Sequence, residues 1–119
     1  MRCHYCGNEA EIVTGEAIYP HRSDLAAKKF WRCTDCKAYV GCHPGTEKPL
    51  GRLANEELRN WKQRAHGVFD PLWRSGVLSR AGAYAWLAKQ LGIPQEETHI
   101  GMFDVDQCKR VVKVCKERN

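Results

Sequence analysis

The sequence predicts an α+β protein, with β-hairpins in its N-terminal part and a cluster of three to four helices in the remainder. Cysteines occur in two Cys-x2-Cys pairs, Cys3/Cys6 and Cys33/Cys36, each flanked by short β-like stretches. Beyond residue 55, apolar residues recur at helical spacing between residues that begin and end helices. We expect both parts to pack as one compact unit, because neither is long enough to bury much apolar surface alone.

The N-terminal part predicts two hairpins. Residues 9–13 form a short β-like stretch ending at a Thr-Gly turn signal, and 17–19 are expected to return as its partner. The second hairpin is centred on Cys33 and Cys36, with strands on either side. Residues 44–52 hold two prolines and two glycines and predict a linker. The predicted division is therefore 1–47 and 48–119.

Local sequence signals delimit the three predicted helices. Asn55 is placed to cap the first helix, and Pro71 is expected to kink or break it. Ser79 is placed to cap the next, which Gly92 ends. Asp104 or Asp106 is expected to begin the last helix. One face of that helix carries Val105, Cys108, Val111, Val112 and Cys115, so its two cysteines are interpreted as core residues.

The two cysteine pairs predict one structural zinc site. A Cys-x2-Cys turn lets both sulfurs reach one ion, and two such knuckles supply the four thiolates of a tetrahedral site. The ligands are Cys3, Cys6, Cys33 and Cys36, and 1–47 is then a zinc ribbon. Iron held by four thiolates is the alternative metal. Cys42 and His43 are the nearest competing ligands and are interpreted as strand-end residues, whereas His4 is expected to point outward.

Charge and hydropathy limit the partners. The chain carries a formal net charge of +5, and all of it lies in residues 48–119, because 1–47 hold six Lys/Arg and six Asp/Glu. This permits a polyanion partner such as DNA or RNA. No stretch approaches the roughly 20 apolar residues that a membrane helix needs. Without an apolar signal-like segment, we expect no membrane partner and a cytoplasmic protein.

An enzyme is the disfavoured class. The sequence contains no nucleophile elbow, phosphate-binding loop or metalloprotease motif. His43, His66 and His99, with Asp70 and Asp104, are the candidate catalytic set, and a site would require them to converge in the fold.

Besides the cysteine pairs, several later stretches carry a resemblance to a known family: Ala38-Tyr39-Val40-Gly41-Cys42-His43-Pro44-Gly45-Thr46, Lys48-Pro49-Leu50-Gly51-Arg52-Leu53-Ala54, Ala65-His66 with Phe69-Asp70-Pro71-Leu72-Trp73, Ser79-Arg80-Ala81 to Leu91-Gly92-Ile93, and His99-Ile100-Gly101-Met102-Phe103-Asp104. On these residues the whole chain resembles a small zinc-finger-containing family common in phages and prophages. This resemblance implies a phage or prophage origin, which places the protein in the host cell cytoplasm, and supports the four zinc ligands. It implies no activity.

Two functions follow as hypotheses. The favoured one is an accessory protein that binds nucleic acid, with zinc as a structural element. The alternative is an interaction module that engages a host or phage protein of the transcription, replication or defence machinery. The predicted nucleic-acid contacts are basic residues of the ribbon and of the last helix: Arg32, Lys37, Lys109, Arg110, Lys113 and Lys116.

Overall fold

The computed structural model describes residues 1–118. The chain divides into two compact units, the first spanning Met1–Glu56 and the second beginning at Glu57. The boundary thus lies beyond the predicted one at 47/48, because the 48–56 segment pairs with the sheet. Cys42 forms a bridge with Pro49, and Tyr39 forms one with Ala54. The packing of the two parts as one unit stays a prediction.

The first unit contains a three-stranded antiparallel sheet of order β1-β2-β3. Its strands are β1 (Glu11–Thr14), β2 (Lys29–Cys33) and β3 (Ala38–Gly41). The hairpin predicted around Cys33 and Cys36 is confirmed as β2–β3, in which Cys33 pairs with Ala38.

The predicted pairing of residues 9–13 with 17–19 is wrong. The chain after β1 forms one helical turn, α1 (Gly15–Ile18), and β1 pairs with β2 instead. Gly15 explains this. It is buried, its N–H donates to the Lys28 carbonyl at 2.7 Å, and a Cβ at this position would lie 1.8 Å from the Leu25 carbonyl oxygen. The glycine therefore permits close packing against a later loop and does not serve a hairpin turn.

The buried cluster of the first unit surrounds the cysteine pairs. It comprises Cys3, Ala10, Cys33, Ala38 and Leu53, with Met1, Trp31, Cys36 and Val40 packed against it. Apart from the cysteines, its fully buried members are two alanines and one leucine. The α+β class with an N-terminal zinc ribbon is confirmed, and the ribbon's small core lies beside its candidate metal ligands.

The second unit, as far as residue 118, contains four α-helices. They are α2 (Glu56–Phe69), α3 (Pro71–Arg74), α4 (Arg80–Leu91) and α5 (Val105–Arg118). Two further turns of 3-10 helix, Gln95–Glu97 and Ile100–Met102, connect α4 to α5. No helix in the described residues has the length and apolar character required to cross a membrane.

The helix ends follow local sequence signals. Pro71 separates α2 from α3, as predicted. The Ser79 hydroxyl accepts from the Gly82 N–H at 3.0 Å, and Gly92 ends α4 with φ 69°. Asp104 caps α5, since its carboxylate accepts from the Gln107 N–H and the Gln107 side chain accepts from the Asp104 N–H.

The buried side chains of this unit recur at helical spacing along α2, α4 and α5. They include Leu58, Ala65, Phe69, Ala83, Leu87, Ala88, Leu91, Cys108, Val111 and Cys115. The interpretation of both α5 cysteines as core residues is confirmed.

Candidate metal centre and basic surface

The two cysteine pairs converge on one point. The Sγ atoms of Cys3, Cys6, Cys33 and Cys36 all lie within 4.8 Å of one another, and those of Cys6 and Cys33 are 3.8 Å apart. Zinc–sulfur bonds of about 2.3 Å in a tetrahedron place neighbouring sulfurs about 3.8 Å apart. The donor set and its spacing therefore fit one zinc ion, which these four side chains would hold.

The two knuckles share a residue of positive φ after their second cysteine, but different backbone hydrogen bonds close them. At the first, the Gly7 N–H donates to the Cys3 carbonyl at 3.0 Å, and at the second the Lys37 N–H donates to the Thr34 carbonyl at 3.3 Å. Gly7 and Lys37 directly follow the second cysteine of their pairs and have φ of 78° and 54°. Lys37 is the one non-glycine residue with positive φ in residues 1–118. It serves the second knuckle through its backbone, whatever its side chain contacts.

The electrostatics of the thiols also indicate a cation site. Burial acts to raise the pKa of Cys3, but N–H groups of Cys6 and Tyr5 and the neighbouring thiols outweigh it and lower that pKa to about 7. The neighbouring thiols disfavour a second negative charge beside Cys3. A hydrogen bond with the Cys6 thiol, and next to it burial, raise the pKa of Cys36 to about 12. Four thiolates can coexist in this space only with a positive ion between them.

The family model for a zinc-finger-containing domain matches residues 1–118. The chain belongs to this family. No curated protein and no solved structure matched the chain. Four protein ligands close the coordination sphere of zinc, so the metal of this zinc-finger-containing domain has no open position for chemistry and is structural.

The competing ligands lie outside the centre. Within residues 1–118, the four cysteines are the only group of three or more Cys, His, Asp or Glu side chains placed to hold a metal ion. Cys42 and His43 therefore do not belong to it. His66 contacts Asp70, four residues further along the chain and just beyond the end of α2, with Nδ1 and Oδ1 3.2 Å apart, and Arg74 contacts the same carboxylate. This pairing joins two members of the candidate catalytic set and adds no further residue to it.

The first knuckle also holds the segment that leads to the helices. Between its two cysteines, His4 Nδ1 accepts from the Leu53 N–H at 3.1 Å, and the Tyr5 hydroxyl accepts from the Asn55 N–H at 3.1 Å. The Arg52 guanidinium lies 5.3 Å from the centre of the Tyr5 ring. His4 is exposed and lies outside the group of metal ligands, in line with the expectation that it points outward, but its ring also accepts a hydrogen bond from a backbone 49 residues further along the chain.

The predicted nucleic-acid contacts divide into two groups. Arg32 pairs with Glu11 at 2.8 Å, which lowers the pKa of that carboxyl group, and Arg110 donates to the Leu91 carbonyl at 2.8 Å. Both side chains have structural partners. Arg110 is nevertheless exposed, as are the four lysines of the set, Lys37, Lys109, Lys113 and Lys116.

Cation–aromatic contacts to the three tryptophans of the second unit, Trp61, Trp73 and Trp86, were missed by the sequence reasoning. All three are half-buried, and each has a basic side chain over its ring. The distances from Arg64 and Lys109 to the Trp61 ring centre are 4.6 and 5.4 Å, those from Arg74 and Arg80 to Trp73 are 5.3 and 5.4 Å, and that from Arg118 to Trp86 is 5.4 Å. The i,i+3 spacing of Trp61 and Arg64 could have indicated one contact, whereas Lys109 lies on another helix.

Proposed function

We propose that this zinc-finger-containing protein binds nucleic acid through its helical unit, and that the zinc ribbon is a folded structural element. Following the family resemblance, its setting would be that of a phage or prophage accessory protein in the host cytoplasm. The charge of the two units supports this assignment. Residues 57–119 hold eleven Lys/Arg and seven Asp/Glu, a net charge of +4. Residues 1–56 hold eight Lys/Arg and seven Asp/Glu. Four thiolates and a zinc ion therefore bring the net charge of this first unit to about −1.

The observation that carries the proposal is the exposed basic face of α5. Lys109, Lys113 and Lys116 occur at i, i+4 and i+7, and all three are exposed. On a helix this spacing places them on one side, over about 10 Å of its length. A row of lysines at this spacing can neutralise successive phosphates, and the released counterions make such binding strongly salt-dependent.

A salt titration tests this proposal. Fluorescence anisotropy with labelled duplex and single-stranded DNA and RNA gives the slope of log K against log salt. Replacing all three lysines by alanine should reduce that slope by about 2, since each single-strand phosphate contact contributes about 0.7. The charge-matched control replaces Lys28, Lys48 and Lys89, which are also exposed. No binding at about 50 mM salt, or an equal loss in both variants, would refute the proposal.

One observation favours the alternative, a protein partner on the ribbon. Leu50 is 56% exposed in a unit that is close to neutral, and β1 lies at the edge of the sheet. Leu50 lies on the β3 side of the sheet, where its N–H donates to the Gly41 carbonyl, and β1 is the opposite edge. An exposed apolar side chain and an open strand edge each suit protein contacts. If this alternative holds, a Leu50→Asp variant should lose a host protein that the native chain captures, while the triple lysine variant should retain it.

A further inference from the structure

We propose that Trp61 is a stacking platform for an unpaired base, so that the helical unit takes single-stranded nucleic acid in preference to duplex. This inference rests on the proposed function and specifies its ligand class. The shared chemistry is a phosphodiester strand with exposed bases, in either DNA or RNA.

Two contacts place Trp61 at the end of the α5 lysine face. The Lys62 ammonium donates to the Gly101 carbonyl at 2.6 Å, which holds the turn before α5 against α2. Lys109 then reaches the half-buried Trp61 ring, with its ammonium 5.4 Å from the ring centre. Arg64, one turn along α2, places its guanidinium 4.6 Å from the same centre. An aromatic surface flanked by two cations is thus continuous with the row formed by Lys109, Lys113 and Lys116.

This arrangement has the two parts that single-strand binding requires. Proteins that bind single strands combine a positive track for the backbone with aromatic rings on which bases stack. Here the lysine row is the track, and Trp61 lies next to Lys109, the first lysine of that row. A duplex could use only the track, because its base faces are already covered by their neighbours.

A base can displace Lys109 from the ring. An exposed cation–ring contact contributes about two- to fivefold to an equilibrium, whereas a base stacked on an aromatic side chain strengthens binding by roughly five- to hundredfold. The exchange is therefore favourable, and the released ammonium becomes available to a phosphate. Lys109 thus covers the platform in the free protein and joins the phosphate track in the complex.

The other tryptophans fit this role less well. Trp73 has its indole Nε1 buried, and Arg74 beside it also contacts the Asp70 carboxylate at 3.7 Å. Trp86 has Arg118 over its ring. Within residues 1–118, no lysine of the α5 row contacts the Trp86 ring as Lys109 contacts Trp61. Trp86 is therefore the matched control position.

The experiment compares three labelled ligands of equal length at low salt: a single strand, the corresponding duplex, and an abasic strand that keeps its phosphates. The single strand is tested as both DNA and RNA. We expect the native protein to bind the single strand at least fivefold more tightly than the abasic strand. Trp61→Leu should abolish that difference without changing the salt slope, Trp61→Phe should retain most of it, and Trp86→Leu should leave it intact.

Each outcome decides one proposal. Equal binding of the single and abasic strands, or equal losses in Trp61→Leu and Trp86→Leu, would overturn the stacking platform and leave phosphate binding in place. No binding of any of the three ligands would overturn the proposed function itself. Far-UV circular dichroism of each variant distinguishes loss of stacking from loss of the helical fold, and recovery by Trp61→Phe does so independently.

Discussion

Replacing one cysteine of the metal centre should unfold the ribbon and leave the helices folded. Cys33→Ser removes a ligand that is 5% exposed, and serine is a poor substitute for a thiolate on zinc. Cys42→Ser is the matched control, because it makes the same chemical change at a half-buried cysteine outside the centre.

The expected loss exceeds what the ribbon can sustain. A structural zinc ion contributes apparent binding free energies of about 10–16 kcal/mol, compared with about 5–15 kcal/mol for the total stability of a typical domain. Around the centre, the buried residues that are not ligands are Ala10, Ala38 and Leu53. Each contributes only about 1–3 kcal/mol through burial. Phe30 and Ala54 are the other buried apolar residues of this unit, and the core remains small with them included, so we expect the first unit to unfold without its metal.

Two measurements check this prediction. A colorimetric assay on denatured protein should find one zinc per native or Cys42→Ser chain and less than one per Cys33→Ser chain. Hydrogen exchange read by mass spectrometry should show loss of protection in residues 1–56 of Cys33→Ser, with 57–118 still protected. The reasoning fails if Cys42→Ser loses its zinc, or if Cys33→Ser keeps both metal and protection.

Three further substitutions have outcomes set by local structure. Gly15→Ala should destabilise the first unit by about 3 kcal/mol or more in urea unfolding, because the new Cβ would lie 1.8 Å from the Leu25 carbonyl oxygen. A destabilisation below about 1 kcal/mol would contradict this packing. Gly67 lies inside α2, and a Cβ added there would meet no neighbouring atom within 4 Å. Gly67→Ala should therefore stabilise the second unit by about 1 kcal/mol, and a lower unfolding midpoint in urea would contradict this prediction. Burial raises the pKa of Cys115 from 9.0 to about 11, so between these values the unfolded state binds fewer protons and stability should fall as pH rises. Cys115→Ala should remove that slope in urea titrations across this pH range, and an unchanged slope would exclude Cys115 as its source.

Features defined by neighbouring residues were predictable from the sequence. The cysteine spacing predicted the ligand set, and the end of α2 before Pro71, the Ser79 cap and the Gly92 stop followed from backbone rules that act over one turn. Local signals also predicted the β2–β3 hairpin, whose two strands are joined by the short turn that forms the second knuckle.

Features that depend on distant contacts were not predictable. Gly15 follows a threonine as a turn glycine would, but its function is set by the approach of Leu25, which no local pattern reveals. The proline- and glycine-rich segment was interpreted as a linker, yet the Leu50 N–H donates to the Gly41 carbonyl at 2.8 Å. Composition identifies an irregular backbone without showing where its hydrogen bonds go. The contact between Lys109 and Trp61 likewise joins residues on two helices.

The hydrogen bonds of the first knuckle make the susceptibility of the chain to proteases depend on its metal. His4 and Tyr5 hold the Leu53 and Asn55 backbones only while the turn between Cys3 and Cys6 is fixed. Trypsin cleaves after arginine, and the Arg52–Leu53 bond lies within the segment they hold. Because proteases cut chains that can detach locally, this bond should resist digestion in zinc-loaded protein and be cut after chelation. The size of the fragments that survive digestion would then report whether zinc is bound.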